Sequence, residues 1–271
     1  MASVPTADAE QLWRGFERFL AKVSTPEWVF RGHSDSTWKL RPKVGREDVL
    51  ATRWDEAGEL GLFAEFKRRA REFESGVEFN DWDWLALAQH YGLPTRLLDW
   101  TQNPLVAAFF AVSSQPSQAI AEVIAVRVQE RHYLNLDGEK GAINWFASPR
   151  ESAAEFKKPT PFDAGSWPAR VVPHRGVSFV RPLIRAPRMI SQRGVFSVHQ
   201  RPTAEWEGFE QRRLGESNFK LIRPRRFQVP AMARPYFQQR LAGMGVDASS
   251  ILSDLGGVCE ALTWRYTHPH V

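Results

Sequence analysis

Three polar segments of the chain carry the residues that suit recognition of an anionic ligand. In the first, Arg31 ends a short apolar strand candidate over residues 28–31 and is followed by Gly32. An arginine in this place can bind a phosphate or a carboxylate through two parallel hydrogen bonds. A glycine beside it lets a ligand approach the backbone closely. The alternative is a structural ion pair between Arg31 and a carboxylate on the next strand.

The second segment, residues 85–101, places polar side chains inside an otherwise apolar stretch. Burying such groups is costly unless they bond to one another or to a ligand. Arg96 and Asp99 are three residues apart, and an internal ion pair between them is the structural alternative. His90 stands near the end of a predicted helix, where the helix dipole favours its cation; capping that helix is its alternative role. The polar residues of the segment are Gln89, His90, Thr95, Arg96, Asp99 and Thr101.

The third segment, residues 189–196, is a polar cluster that enters a predicted strand at Gly194. Ser191 and Gln192 are its hydrogen-bonding side chains. The amide of Gln192 is both a donor and an acceptor, so it can bind a ribose hydroxyl or a nicotinamide-like amide. The alternative is a turn between two strands with Gln192 in solvent.

Signatures of several common enzyme classes are missing from the sequence. It contains no G-x-x-x-x-G-K phosphate loop, no G-x-G-x-x-G unit between strand and helix, no G-x-S-x-G elbow and no H-E-x-x-H. The seven histidines lack metal-ligand spacing, and Cys259 is the single cysteine. We therefore expect no metal cofactor, and we disfavour zinc enzymes and hydrolases with a nucleophile triad.

Composition places the chain among soluble globular proteins. Of 271 residues, 43% are hydrophobic and 25% charged, which excludes a disordered chain. No apolar run approaches about 18 residues, so we expect no membrane partner. The first residues lack the basic start and apolar core of a signal peptide, and we expect a cytoplasmic protein.

The charge is uneven along the chain. Residues 166–271 contain 16 basic and 7 acidic side chains, including Arg223, Arg225 and Arg226. A basic half favours an anionic partner such as a nucleotide or a nucleic acid. The alternative is a solvated, arginine-rich surface, because the arginines are scattered.

The hydrophobic pattern predicts helices and strands in a mixed order. The predicted helices cover residues 7–22, 62–73, 82–91, 105–112, 231–241, 249–255 and 258–264. The predicted strands cover residues 28–31, 122–129, 178–184, 195–199 and 219–222. Because strands and helices do not alternate regularly, we expect an α+β fold with a mostly antiparallel sheet.

The three segments together resemble the motifs of the FRG domain family. The resemblance rests on F-R-G at 30–32, A-Q-H-Y-G-L-P-T-R-L-L-D-W-T at 88–101 with N-P-L-V-A-A-F-F-A at 103–111, and S-Q-R-G-V-F at 191–196. It spans about residues 28–264 and includes the closing helices. It implies one FRG domain over residues 1–271, with an N-terminal helix in 1–27 and an irregular insertion over 130–176.

The motif order is also similar to that of ADP-ribosyltransferase-like folds, which bind NAD in a cleft of a split, mostly antiparallel sheet with flanking helices. This similarity implies an NAD-consuming transferase that acts as a toxin or a phage-defence effector. Its acceptor would be a nucleic acid or a protein, and an antitoxin would neutralise it. The alternative is a non-enzymatic module that binds a nucleotide or a nucleic acid.

The same similarity implies roles for particular residues. Arg31 would hold a phosphate or the adenosine-side ribose of NAD, and Asp99 with Thr101 would line the nicotinamide ribose. Gln192 would occupy the late catalytic position, where many such transferases have a glutamate, so Asp99 would supply the carboxylate. The implied catalytic residues are Arg31, Asp99 and Gln192. The implied NAD-binding residues are Gly32, His90, Tyr91, Arg96, Trp100, Thr101 and Ser191, with Tyr91 or Trp100 stacking on nicotinamide.

Overall fold

The structure, a computed structural model, describes residues 6–50, 55–74, 79, 81–133, 177–181, 191–199, 201–212 and 219–268. The helices in this part are α1 Thr6–Ala21, α2 Glu47–Leu50, α3 Glu56–Ala70, α4 Asp81–His90, α5 Pro104–Ser113, α6 Arg234–Gly243, α7 Ala248–Leu252 and α8 Leu255–Thr267. The strands are β1 Trp28–His33, β2 Leu97–Thr101, β3 Ala121–Arg127, β4 Val177–Val180, β5 Gly194–His199, β6 Phe209–Arg212, β7 Phe219–Ile222 and β8 Arg225–Val229. The predicted insertion over 130–176 lies outside the described residues from position 134 onward.

Six strands form one antiparallel sheet in the order β4-β5-β2-β1-β3-β8, and β6 pairs with β7 in a separate ribbon. The expected α+β class with a mostly antiparallel sheet is confirmed. Strand β1 pairs with β3 along its whole length, from Trp28 opposite Arg127 to His33 opposite Glu122. With β2 it pairs only where Phe30 faces Thr101. Arg31 comes directly after this single paired position, where the pairing of β1 with β2 ends.

Helices cover one face of the sheet. Helix α1 buries Trp13 and Phe16 against this face. Helix α5 crosses β1 directly at Gly32, where an added Cβ would lie 2.1 Å from the Ala107 carbonyl oxygen. This corrects the prediction that Gly32 leaves room for a ligand, because the backbone of α5 fills that room.

Loops cover the other face of the sheet. Its apolar cluster includes Val29, Trp100 and Phe179 from the strands, and Leu40 and Trp206 from two connecting segments. The two segments are tied together where the Trp206 amide donates to the Leu40 carbonyl at 3.2 Å. Side chains alternate across a strand, so Arg31 and His33 point to the same face as Val29. Two polar side chains of β1 therefore enter a largely apolar layer.

None of the helices in the described part of the chain combines the length and the apolar character that a bilayer crossing requires.

Candidate active site

Arg31 is held from two sides and keeps one donor group unused. Its Nη1 donates to the Asp99 carbonyl oxygen at 2.7 Å, and its Nε donates to His33 Nε2 at 3.0 Å. Within the described residues, Nη2 has no hydrogen-bond partner. The side chain is 14% exposed, so solvent and ligands reach it only at one edge.

Asp99 presents a carboxylate beside this guanidinium. Its side chain is 56% exposed, and its Oδ2 lies 3.8 Å from Arg31 Nη1. Gln89, on α4, donates its Nε2 to the same oxygen at 2.7 Å. Thr95 in turn donates its hydroxyl to Gln89 Oε1 at 2.6 Å and thereby fixes the orientation of the amide. The carboxylate is therefore oriented by neighbours and still open to solvent.

Behind Arg31, the polar contacts continue into the sheet through residues that the sequence analysis did not single out. His33 accepts from Arg31 at Nε2, so its proton is on Nδ1, which lies 3.4 Å from Glu122 Oε1 on β3. The same carboxylate oxygen accepts from Nη1 of Arg226 on β8. His33 and Glu122 are 2% and 1% exposed. A continuous series of polar side chains thus crosses three strands from Arg31 to Arg226.

The electrostatics of this series follow from burial. Burial lowers the pKa of Arg31 to about 10, Asp99 opposes that shift and Arg46 adds to it. Burial, followed by the charges of Arg31 and Arg226, lowers the pKa of His33 to about 2, so its imidazole is neutral. Burial also raises the pKa of Glu122 to about 7, although Arg226 opposes the shift. A neutral histidine therefore supports the guanidinium of Arg31 from behind.

Arg96 has a different partner from the one that its spacing suggested. Its Nε and Nη2 donate to the two carboxylate oxygens of Glu59 on α3, each at 2.8 Å. The guanidinium is 1% exposed. The ion pair of Arg96 with Asp99, which was the structural alternative for this segment, does not form, because residues three apart on an extended chain point to opposite faces. Arg96 is a buried structural residue, so its predicted contact with NAD is corrected as well.

Two further predicted residues of the second segment belong to the interior. Trp100 is 2% exposed and donates its indole N–H to Ser197 at 2.9 Å, so its ring packs in the core. Thr101 is 5% exposed and donates to the Gln192 carbonyl oxygen at 2.5 Å. Neither side chain can stack on or line a ligand at the surface. Of the two aromatic candidates for stacking, Tyr91 is exposed.

His90 and Tyr91 stand at the end of α4. Their rings meet edge to face, with centroids 5.1 Å apart. Gly92 ends the helix in the left-handed region at φ 83°, and the Leu93 amide donates back to the Ala88 carbonyl at 2.9 Å. The helix end is thus capped by backbone, and the roles predicted for His90 and Tyr91 toward NAD stay predictions.

The third segment is tied to α7 rather than to Arg31. The Ser191 hydroxyl and the Gln192 Nε2 both donate to the Ile251 carbonyl oxygen, at 3.0 and 3.4 Å. That carbonyl is in the last turn of α7, where no intrahelical donor remains. Within the described residues, no side-chain contact joins Gln192 to Arg31 or Asp99. The structure therefore brings two of the three predicted catalytic residues into contact.

The arginines near β8 are exposed, and each contacts a neighbouring group of the chain. Arg225 donates to the Lys22 carbonyl at 3.2 Å, and Arg223 lies 3.3 Å from Glu207. Together with the contact between Arg226 and Glu122, these pairs give each arginine an internal partner. Because exposed ion pairs of this kind are weak, the predicted contact of these arginines with an anionic partner stays a prediction.

A cavity of about 110 Å³ lies elsewhere, between α5, α6, α7 and α8. Its lining includes Phe109, Gln238, Ala248 and Trp264, and none of the predicted site residues. This volume is well below the roughly 300–1,000 Å³ of a typical ligand pocket, and far too small for a dinucleotide. Among the described residues, no three His, Cys, Asp or Glu side chains cluster in a way that would hold a metal ion.

Comparison with known proteins supports the first two motifs of the resemblance, whereas the third motif and the closing helices lie beyond the matched residues. Residues 26–119 match the family model of the FRG domain. The chain carries an FRG domain. The matched part of the FRG domain contains Arg31, His33, Gln89 and Asp99, whereas Glu122 and Gln192 lie beyond it. No curated protein and no solved structure matches the chain.

Proposed function

We propose that this FRG-domain protein is an NAD-dependent ADP-ribosyltransferase-like enzyme with Arg31 and Asp99 at its centre. One observation carries the proposal: a nearly buried guanidinium keeps one free donor at an edge, beside an oriented and exposed carboxylate. Burying a charge without full compensation is costly, so such a group is a candidate for ligand binding. Its unused Nη2 suits a phosphate oxygen of NAD.

The two side chains have distinct roles in the proposed reaction. The bond between C1′ of the ribose and the nicotinamide nitrogen breaks, and nicotinamide leaves as a neutral molecule with the bonding electron pair. Asp99 stabilises the positive charge that develops on the ribose. An oxygen or nitrogen of the acceptor then bonds to C1′ and gives its proton to Asp99. Arg31 anchors the diphosphate throughout.

In this proposal Asp99, and not Gln192, stabilises the positive charge that develops on the ribose. A neutral amide cannot stabilise a cation by charge, and the amide of Gln192 already donates to α7. The motif similarity to ADP-ribosyltransferase-like proteins supports a toxin or phage-defence role, with nucleic acid or protein as the acceptor and an antitoxin as a partner.

Nicotinamide release from labelled NAD tests the proposal. Purified protein is incubated with NAD and, separately, with RNA, DNA and a protein mixture as acceptors. We expect Asp99→Asn to lower the rate about 100-fold or more, as loss of a charge-stabilising group does, and Arg31→Ala to lower kcat/KM about tenfold or more. Asp8→Asn and Arg14→Ala, two exposed residues of α1, are the matched controls and should leave the rate unchanged.

Two results would count against the enzyme. Absence of nicotinamide release with every acceptor, while a known transferase is active under the same conditions, would contradict it. Binding of NAD that depends on Arg31 without any release would instead support the alternative, a module that binds nucleotides.

A further inference from the structure

Helix α8 exposes an apolar stripe that nothing in the described part of the chain covers. The exposed fractions are 82% for Leu255, 41% for Val258, 48% for Leu262 and 86% for Tyr266. At about 100° per residue, these four side chains fall within an arc of roughly 80°. A contiguous apolar stripe of this kind on a helix normally packs against another element.

The opposite side of α8 attaches the helix through a narrow contact. Its fully buried residues are Gly257 and Ala261, four apart and both small. A Cβ on Gly257 would lie 2.5 Å from the Ala248 carbonyl oxygen, so the helix lies close against α7 there. Trp264 also lies on this side and donates to Gln238 of α6 at 2.8 Å, whereas the four side chains of the stripe face away from the molecule.

The stripe is complementary to itself. Its members are spaced almost evenly about a midpoint between Val258 and Leu262. When two copies of the helix run antiparallel, Leu255 of each meets Tyr266 of the other, and Val258 meets Leu262. The antiparallel arrangement also places opposite ends of the two helix dipoles together.

The charges beside the stripe fit the same arrangement. Asp254 caps the N-terminus of α8, and Arg265 lies near its C-terminus on the same edge of the stripe. Arg265 is 64% exposed, and its nearest carboxylate within the chain, Asp247, lies 3.5 Å away. In an antiparallel pair, each Arg265 comes beside Asp254 of the second copy, so each end of the contact has one charge pair.

We propose that the stripe is a homodimer interface in which α8 packs antiparallel on α8 of a second copy around a two-fold axis. A helix of 13 residues is about 20 Å long. Its one face buries less than the roughly 800 Å² per partner of a standard interface, so the dimer is weak and forms with rising concentration. This inference does not depend on the proposed enzymatic activity.

Sedimentation of the full chain over a range of concentrations is the first test. We expect a monomer–dimer equilibrium that Leu255→Glu and Leu262→Glu each weaken about tenfold or more, because they place charge in the apolar contact. Met232→Glu is the matched control, since Met232 is exposed by 65% outside α8. Circular dichroism of each variant shows whether it is folded. If Leu262→Glu unfolds the protein, the dimerisation of Leu255→Glu still tests the interface. A monomer at every concentration up to about 0.5 mM would overturn the proposal.

Cross-linking tests the orientation. In a Cys259→Ser background, which removes the single and exposed native cysteine, single-cysteine variants Leu255→Cys and Tyr266→Cys are mixed. A short bismaleimide should link the two variants to each other more efficiently than it links either variant to itself. Equal linking of like variants would contradict the antiparallel two-fold arrangement.

Discussion

Arg31 and Arg96 are both withdrawn from solvent beside the centre of the sheet, yet their surroundings differ. Arg96 is fully enclosed, and Glu59 accepts two hydrogen bonds from it. Arg31 meets a backbone carbonyl, a neutral histidine and a carboxylate 3.8 Å away, and one donor stays open at an edge. A buried charge that an opposite charge neutralises inside the fold serves stability. A buried charge that is neutralised only in part is suited to bind a ligand.

Burial by itself does not distinguish the two roles. Arg234 is 2% exposed and donates to backbone carbonyls, including those of Pro116 and Ala111. It ties α5 to the loops that contain Ser34 and Pro116. What distinguishes Arg31 is the combination of incomplete neutralisation with an open edge and an oriented carboxylate at that edge.

The largest expected effect comes from breaking the matched pair. Arg96→Ala leaves Glu59 buried without its cation and should lower the free energy of unfolding by about 3–5 kcal/mol. Arg31→Ala removes a charge that is costly to bury and should lower it by less than about 1 kcal/mol. Denaturant titration of both variants measures the difference. Equal losses would show that Arg31 is also a structural residue.

The second effect is a loss of stability in acid, caused by histidines close to the two arginines. Burial, with the charges of Arg31 and Arg96, lowers the pKa of His199 to about 3, and that of His33 is about 2. The unfolded chain protonates both below about pH 6.5, whereas the folded chain does not. Glu122 has the opposite effect on stability. Its pKa is about 7 in the folded chain, so on acidification the folded chain protonates this carboxylate at a higher pH than the unfolded chain does.

Between pH 6.5 and 4.5 the unfolded state therefore binds about one more proton than the folded state. The free energy of unfolding should fall by about 1.4 kcal/mol for each pH unit of acidification in this window. Denaturant titrations at several pH values measure the slope. A slope close to zero in this window, or a free energy of unfolding that rises on acidification, would contradict the assignment.

A smaller effect on stability is expected from Glu122, which lies at the buried end of the polar series. Glu122→Gln removes the charge that Arg226 meets and should cost about 1 kcal/mol of stability at pH 8. At pH 5 Glu122 is already protonated, because its pKa is about 7, so the substitution should cost close to nothing. A cost that is the same at both pH values would show that Glu122 stays ionised in the fold.

The smallest effect concerns the third segment. Gln192→Ala removes a long hydrogen bond to Ile251, whose carbonyl also accepts from Ser191. Stability should fall by less than about 0.5 kcal/mol, and nicotinamide release should stay within about threefold of wild type, because the structure ties this amide to α7. A loss of release equal to that of Asp99→Asn, with stability unchanged, would return Gln192 to the catalytic site.

Local patterns predicted much of the fold. Asn103 caps α5 and accepts from the Leu105 amide, with Pro104 in the first turn, as the Asn-Pro pair indicates. Strands β2, β6 and β8 were missed. Strand β8 begins with Arg225 and Arg226, and its charges hide the alternation that marks a strand.

The candidate site was predicted only in part, because its contacts join distant parts of the chain. Residues 97–101 form a strand that the hydrophobic pattern did not predict, and only this strand gives Arg96 and Asp99 their opposite orientations. Glu59 is 37 residues from Arg96, and the contact of His33 with Glu122 depends on the register of β1 against β3. No spacing within one segment reveals such pairs.

Calorimetric titration with NAD tests the central claim most directly, which is that Arg31 is a ligand-binding group. Wild-type protein should bind NAD, Arg14→Ala should bind it equally well, and Arg31→Ala should bind it about tenfold or more weakly while keeping its thermal stability. Equal affinity of wild type and Arg31→Ala, or no binding of NAD by a folded wild-type protein, would contradict the account.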